Sequence, residues 1–197
     1  MTLLTGNDDL PDAFYGRFAV DNAAELEAMI RRSIKYEAQP DKLPWYHDAS
    51  TIASNEGSSP SDADYAAMVA DSLKKGTYQV VDAFLQGDGS ATSANISTAI
   101  NQGRSWISYF GHGSGTSWGS VNDTFSNATV KQLTNMGRLP VLIDVACLNA
   151  SWMSSGACFG KAWVTHTQQN QDAGAVAFYG GSVSISWDPP AVMSVGI

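Results

Sequence analysis

Two strand-like runs in this chain end on reactive side chains. The run 105–110 (SWISYF) leads into Gly111-His112-Gly113, and the run 141–146 (VLIDVA) leads into Cys147. A third, Thr51-Ile52-Ala53, runs into a polar loop that carries Glu56. A thiol becomes a nucleophile when an imidazole takes its proton, a carboxylate or carbonyl holds the ring, and backbone N–H groups receive the oxyanion. His112, Cys147 and Glu56 supply those residue types. Glycines on both sides of His112 let the backbone approach a substrate carbonyl closely. Cys147 alone also fits a small core thiol closing an apolar strand. A histidine flanked by glycines makes a poor core residue, so the pair says more than either member.

Other residues offer competing chemistry. Gly115-Thr116-Ser117-Trp118-Gly119 has the spacing of a serine nucleophile elbow, with His166 and Asp172 further along. That elbow needs a strand directly before the serine and a helix directly after, and the order Ser–Asp–His. Ser117 is expected deep in a glycine-rich loop, and His166 precedes Asp172. Cys158 is read as a structural thiol at a helix start, where the dipole would lower its pKa, with no partner histidine in view. His47 and His166 are read as surface histidines.

The elements around these residues alternate. Helices are expected over 22–36, opened by an Asn22-x-x-Glu25 capping box with Leu26, Met29, Ile30 and Ile34 as the apolar stripe, and over 62–75, 92–102, 129–135 and 158–168. Strands are expected over 51–53, 78–85, 105–110, 141–146 and 174–179. Near-continuous apolar strands alternating with helices argue for an α/β fold with a mostly parallel sheet covered on both faces. In such sheets the site lies beyond the carboxyl ends of the strands, where His112 and Cys147 fall.

Composition bounds the function. The chain has 197 residues, 44% hydrophobic and 15% charged, enough for a globular core and unlike a disordered chain or coiled coil. Its net charge of −8 repels phosphate backbones, so nucleic acid is not an expected partner. No apolar run approaches the ~20 residues of a membrane span, so no membrane insertion is expected. Two cysteines exclude a disulfide scaffold. Met1–Gly6 lacks a signal-peptide pattern, which fits either a cytosolic protein or a chain that begins inside a longer precursor, and the abrupt end at Gly196-Ile197 favours the second, a piece of a longer protein.

The stretch 111–152, with GHGSGTSWG, VKQLTN and LPVLIDVACLNASW, closely resembles the catalytic core of the gingipains, cysteine endopeptidases of caspase-like fold. The resemblance continues through SNEG (54–57), Ser61-Asp62, YQVVD (78–82), NQG (101–103), CFGKA (158–162) and GAVA (174–177) to Ser186-Trp187. It implies a caspase-like three-layer sandwich, with 1–20 as the end of a truncated N-terminal subdomain and 21–197 as a catalytic subdomain incomplete at its C-terminus. By the same resemblance Cys147 is the nucleophile, His112 the catalytic histidine and Glu56 the acid that orients it. The N–H groups of Gly113 and Cys147 hold the oxyanion, while Asp62, Val145 and Trp187 form a pocket for a basic residue, Arg in preference to Lys. Phe110 and Ala191 stand where arginine-specific members carry Thr and Met. The resemblance further implies protein or peptide substrates, contact with the chain's own missing flanks, and a secreted or cell-surface bacterial location. No cofactor is expected for catalysis. Structural calcium is a candidate at Asp8-Asp9 and Gly87-Asp88-Gly89, though neither run has an EF-hand pattern. The alternative is a truncated, non-catalytic protease-like binding or scaffold domain.

Overall fold

The computed structural model describes residues 15–40, 43–57, 59–153 and 156–196. In chain order the elements are α1 (Ala23–Ala38), β1 (Asp48–Ala53), α2 (Asp62–Lys75), β2 (Val80–Leu85), α3 (Ser93–Gln102), β3 (Trp106–Phe110) and β4 (Ser117–Trp118). They continue as β5 (Phe125–Ser126), α4 (Asn127–Val130), β6 (Val141–Val145), α5 (Phe159–Thr165), β7 (Thr167–Gln168), β8 (Gln171–Asp172), β9 (Ala177–Gly180) and α6 (Asp188–Gly196). Five strands form one parallel sheet in the order β2-β1-β3-β6-β9.

Strand alternation sorts the core into two layers. Ile107 and Tyr109 of β3 and Leu142 of β6 face α3, α5 and the β4–β5 hairpin, where they meet Ile96, Ile100, Phe159, Trp163, Trp118 and Phe125. Phe110, Ile143 and Val145 face the other way, onto Tyr65 and Val69 of α2 and Ala191 of α6. This is the expected three-layer sandwich.

Several expectations are revised. Helix α1 starts as its capping box predicts, with Asn22 accepting the N–H of Glu25. It docks, however, through Met29 and Arg32, while Leu26, Ile30 and Ile34 stay exposed. The cause is Arg32, whose guanidinium donates to the carbonyls of Val164 and His166, at the end of α5, and to that of Ala175, beyond the β7–β8 hairpin. The helix expected over 158–168 stops at Thr165, because His166 is extended and Gln169 and Asn170 take left-handed conformations that turn the chain into the β7–β8 hairpin. His166 is buried rather than on the surface, with Nε2 bonded to the Leu133 carbonyl at 3.0 Å. The helix expected at 129–135 is the single turn α4. An unexpected helix, α6, opens with Pro189 and Pro190 in its first turn, where prolines are tolerated because those N–H groups have no helical acceptor. The proposed N-terminal piece lies largely outside the described residues.

Candidate active site

Strands β3 and β6 are paired neighbours, with Phe110 opposite Val145, and His112 and Cys147 each stand two residues beyond that pair. The N–H of Gly111 still donates to the Val145 carbonyl at 3.3 Å, so both reactive residues leave the sheet side by side. The His112 main chain is then clamped. Its N–H donates to Ser120 Oγ at 2.9 Å, and its carbonyl accepts from Tyr109 and from the N–H of Gly119, each at 2.9 Å. The ring projects outward, with Nε2 at 3.0 Å from Glu56 Oε2 and its centre 5.0 Å from that of the Trp187 ring in a T-shaped arrangement. A carboxylate only accepts, so Nε2 is the donor in this bond, and in the neutral ring that tautomer leaves the lone pair on Nδ1.

Glu56 reaches the ring from the loop after β1. Ser54, whose N–H donates to the Phe110 carbonyl, organises that loop. Its hydroxyl accepts the Glu56 N–H at 3.0 Å and donates to Asp62 Oδ2 at 2.5 Å. Ser54 escaped the sequence reading, although a serine two residues before an acid in a polar loop suggests such a turn. Asp62 is more than the first residue of α2, since Ser61 and Asp64 form the capping box there. Its carboxylate is 2% exposed, accepts Trp187 Nε1 at 2.7 Å, and meets no cation in an ion pair among the described residues. Burial pushes its pKa up, and the Ser54 and Trp187 hydrogen bonds partly offset that. Glu56, His112, Trp187, Asp62 and Ser54 are thus linked as one chain of contacts.

Cys147 is half-buried, and its Sγ accepts the N–H of Ile185 at 3.4 Å. The next residue, Leu148, sits at φ 65°. That left-handed turn is held by Leu148 N–H on the Val183 carbonyl and Ala150 N–H on the Gly181 carbonyl. Gly113 packs against the result, for a Cβ on Gly113 would lie 2.3 Å from the Cys147 carbonyl oxygen. Gly113 and Trp118 form an antiparallel bridge whose hydrogen bonds come from Gly119 to His112 and Ser114 to Ser117, so the Gly113 N–H points out of the bridge. Val145 faces elsewhere. It lines an apolar cavity of about 290 Å³ with Ile185, Pro190 and Met193, and neither Asp62 nor Trp187 lines that cavity.

Beneath the loops lies a buried polar group that the sequence reading passed over. Asp144 Oδ1 accepts Trp118 Nε1 at 2.5 Å and Asn149 Nδ2 at 3.4 Å. Asn149 Oδ1 accepts the N–H of Gly115 at 3.1 Å. A carboxylate within the apolar run VLIDV was the available signal.

With this geometry in view, comparison with known proteins is decisive. The family described as Peptidase family C25 matches residues 1–194. The chain belongs to that family. It is 34% identical over 196 residues to gingipain R2 of Porphyromonas gingivalis, covering 95% of this chain and 26% of that protein. Gingipain R1 of the same species is also 34% identical, over 95% of this chain and 19% of that protein. The crystal structure of the Arg specific cysteine proteinase gingipain R superposes with a TM-score of 0.88 at 34% identity, covering 96% of this chain and 44% of that one. The complex of Porphyromonas gingivalis RgpB pro- and mature domains gives 0.87 at 33% identity, over 96% of this chain and 45% of that one. This member of the C25 family therefore spans about a quarter or less of the curated relatives and under half of the solved chains.

The remaining candidates resolve within that family frame. Ser117 lies on β4 with its hydroxyl on Ser114, while Asp172 pairs with Arg32 and His166 with Leu133, so no serine triad assembles. Cys158 is buried, and burial pushes its thiol up, outweighing the N–H groups of Gly160 and Lys161 at the helix start, which pull it down. Asp88 accepts the Ser90 N–H, Asp8-Asp9 lies outside the described residues, and the described residues contain no cluster of three His, Cys, Asp or Glu suited to a metal. None of the described helices is long and apolar enough to cross a membrane. Phe110 and Ala191 lie buried in one cluster with Tyr65, on which Phe110 stacks. A large ring at 110 is thereby accommodated beside a small residue at 191.

Proposed function

We propose that the chain is the catalytic part of a cysteine endopeptidase that cleaves after a basic residue, Arg in preference to Lys. The observation that carries this reading is the delivery of His112 and Cys147 from adjacent parallel strands, with Glu56 on Nε2 of the imidazole. His112 Nδ1 takes the Cys147 proton as Sγ bonds to the substrate carbonyl carbon. The N–H groups of Gly113 and Cys147 stabilise the oxyanion. Collapse breaks the C–N bond, and Nδ1 returns its proton to the leaving amine. Water then attacks the thioester and gives a proton to Nδ1, and as the C–S bond breaks that proton passes from Nδ1 to Sγ and restores the thiol.

Asp62 serves as the specificity acid. It is a buried carboxylate with no cationic partner among the described residues, beside an indole. A guanidinium can take the place of the Trp187 N–H on Oδ1, forking onto the carboxylate while the ring offers its face. That a solved relative is titled Arg specific supports the choice. Any calcium serves structure rather than these steps. As part of a longer protein, the chain joins an N-terminal subdomain ending near residue 20 and acts on peptides outside the bacterial cell or at its surface.

The test is hydrolysis, with reductant, of matched fluorogenic peptides ending in Arg, Lys, Asp or Leu by the parent and by Cys147→Ala. Arg cleavage is expected to dominate and to fall at least ~10⁴-fold in the variant. Preference for Asp or Leu would remove Asp62 from the specificity site, and silence from folded parent would favour a non-catalytic scaffold.

A further inference from the structure

The buried polar group under the active-site loops has no part in the steps above, yet it touches both of them. Asn149 is fully buried, two residues past Cys147. Its Oδ1 takes the N–H of Gly115 from the His112 loop, while its main-chain carbonyl takes the N–H of Gly160 at the start of α5. Its amide lies directly against Gly113, where an added Cβ would stand 2.8 Å from Nδ2 and 2.9 Å from Cγ. The amide is fixed in turn by Asp144 Oδ1, which Trp118 Nε1 also holds. Leu148, between Cys147 and Asn149, has the left-handed backbone. That conformation is costly for a branched side chain and persists only where its surroundings impose it. Here the turn drives Asn149 inward and sets the Cys147 carbonyl against Gly113.

We infer that Asn149, held by Asp144, is a positioning residue that sets the backbone of Gly113 against Cys147 so that their two N–H groups point at one oxyanion. This rests on the cysteine-peptidase reading. Preorganised donors stabilise developing charge because they do not have to reorient as it forms, so small displacements are costly. A side-chain amide is suited to the task. Its oxygen fixes one loop, its nitrogen meets the buried carboxylate, and its plane supports the glycine between. An apolar residue of the same size would pack but would leave the Gly115 N–H and the Asp144 carboxylate without these bonds.

The experiment compares two reactions at the same sulfur. A peptidyl argininal adds reversibly to Cys147, sulfur to carbon and the thiol proton to oxygen, and its oxygen occupies the oxyanion position. Iodoacetamide alkylates Cys147 with loss of iodide and makes no use of that position. In Asn149→Ala, argininal affinity and kcat on the Arg peptide are expected to fall tenfold or more, with KM and the Cys147 alkylation rate within about twofold of the parent. Mass spectrometry separates Cys147 from the buried Cys158. Unchanged argininal affinity would overturn the proposal, and so would equal losses in both reactions, which mark a general collapse of the site. Should Asn149→Ala fail to fold, Asp144→Ala and Asp144→Asn carry the test. The Asn variant keeps an oxygen acceptor and is expected to recover most of the argininal affinity that the Ala variant loses, and equal losses would overturn the proposal. A parent that hydrolyses no peptide and binds no argininal, yet is alkylated normally, would instead sink the peptidase reading itself.

Discussion

The rim and the floor of the site are built in opposite ways. On the rim, the side chains of His112 and Glu56 are 57% and 47% exposed, and a single hydrogen bond joins them. On the floor, Trp118, Asp144 and Asn149 are buried, and Trp118 packs within about 6 Å of Tyr109, Phe125, Phe159 and Trp163. Exposed pairs contribute little to stability because water and salt screen them. Buried, multiply bonded groups contribute much and tolerate little change. The proposed chemistry is therefore placed on a surface that is cheap to alter, above a floor whose disturbance threatens the fold. Variants of the rim should change rate without changing stability, and variants of the floor should change stability first.

Trp118→Ala applies the strongest pressure to that division. Removing a fully buried indole from an aromatic cluster costs about 3–5 kcal/mol, and the Asp144 carboxylate also loses a donor. Urea unfolding should show a loss in this range. Trp118→Phe, which keeps a ring but not the N–H, should fall between parent and alanine. A loss under about 1 kcal/mol for the alanine variant would mean that the floor is not the stabilising region and would erase the contrast.

Asp144 sharpens the comparison through pH. Burial pushes its carboxyl up to about 7, with the Trp118 and Asn149 hydrogen bonds pulling the other way. The unfolded value is about 3.9, so between roughly pH 4 and 7 the folded chain holds a proton that the unfolded chain has released. Stability from this group is fully present below the unfolded pKa, falls by about 1.4 kcal/mol per pH unit as pH rises, and levels off above the folded pKa. Asp144→Asn removes that dependence. Between pH 5 and 8 the parent should lose on the order of 2–3 kcal/mol relative to the variant. Asp62, also raised by burial, slopes in the same direction but is common to both proteins and cancels in the difference. Parallel curves for the two proteins would mean that Asp144 is ionised throughout and that the floor is better solvated than its burial implies.

The rim was far more legible in the sequence than the floor, and for a physical reason. Apolar runs that end on His112 and Cys147 mark strand ends in a parallel sheet, and reactive side chains at strand ends need no tertiary knowledge to be noticed. Glu56 was visible in the same way, after a third strand-like run, while its orienting role and the choice of Asp62 followed from the family resemblance, and the two acids now stand in one linked set. What stayed hidden depends on partners distant in sequence. Asp144 reads as an interruption of an apolar strand until Trp118 and Asn149 are seen on it. Arg32 reads as one more solvated charge on α1 until the three carbonyls it satisfies appear, more than 130 positions away. The same blindness placed His166 at the surface and left Leu26, Ile30 and Ile34 as the buried stripe, a face that the structure exposes.

The smallest effect is expected at Glu56, and it tests the rim most directly. If Glu56 acts on His112 only by accepting from Nε2, then Glu56→Gln keeps an acceptor oxygen at the same reach and should lower kcat about threefold, whereas Glu56→Ala should lower it about tenfold, the equivalent of one hydrogen bond at about 1.4 kcal/mol. If instead the negative charge stabilises the imidazolium that forms during attack, Gln should fall as far as Ala. Either pattern leaves Glu56 in a role at the ring, and the split between the two variants says which. In both, the midpoint of thermal unfolding should stay within about 2 °C of the parent, since the pair is exposed and screened. A clear drop in that midpoint would place Glu56 among the residues that hold the loop, alongside its N–H bond to Ser54 and its carbonyl bond to the N–H of Asp62. The boundary between rim and floor would then run through Ser54 rather than beneath His112, and Ser54→Ala should reproduce that loss, because its hydroxyl bonds to both Glu56 and Asp62.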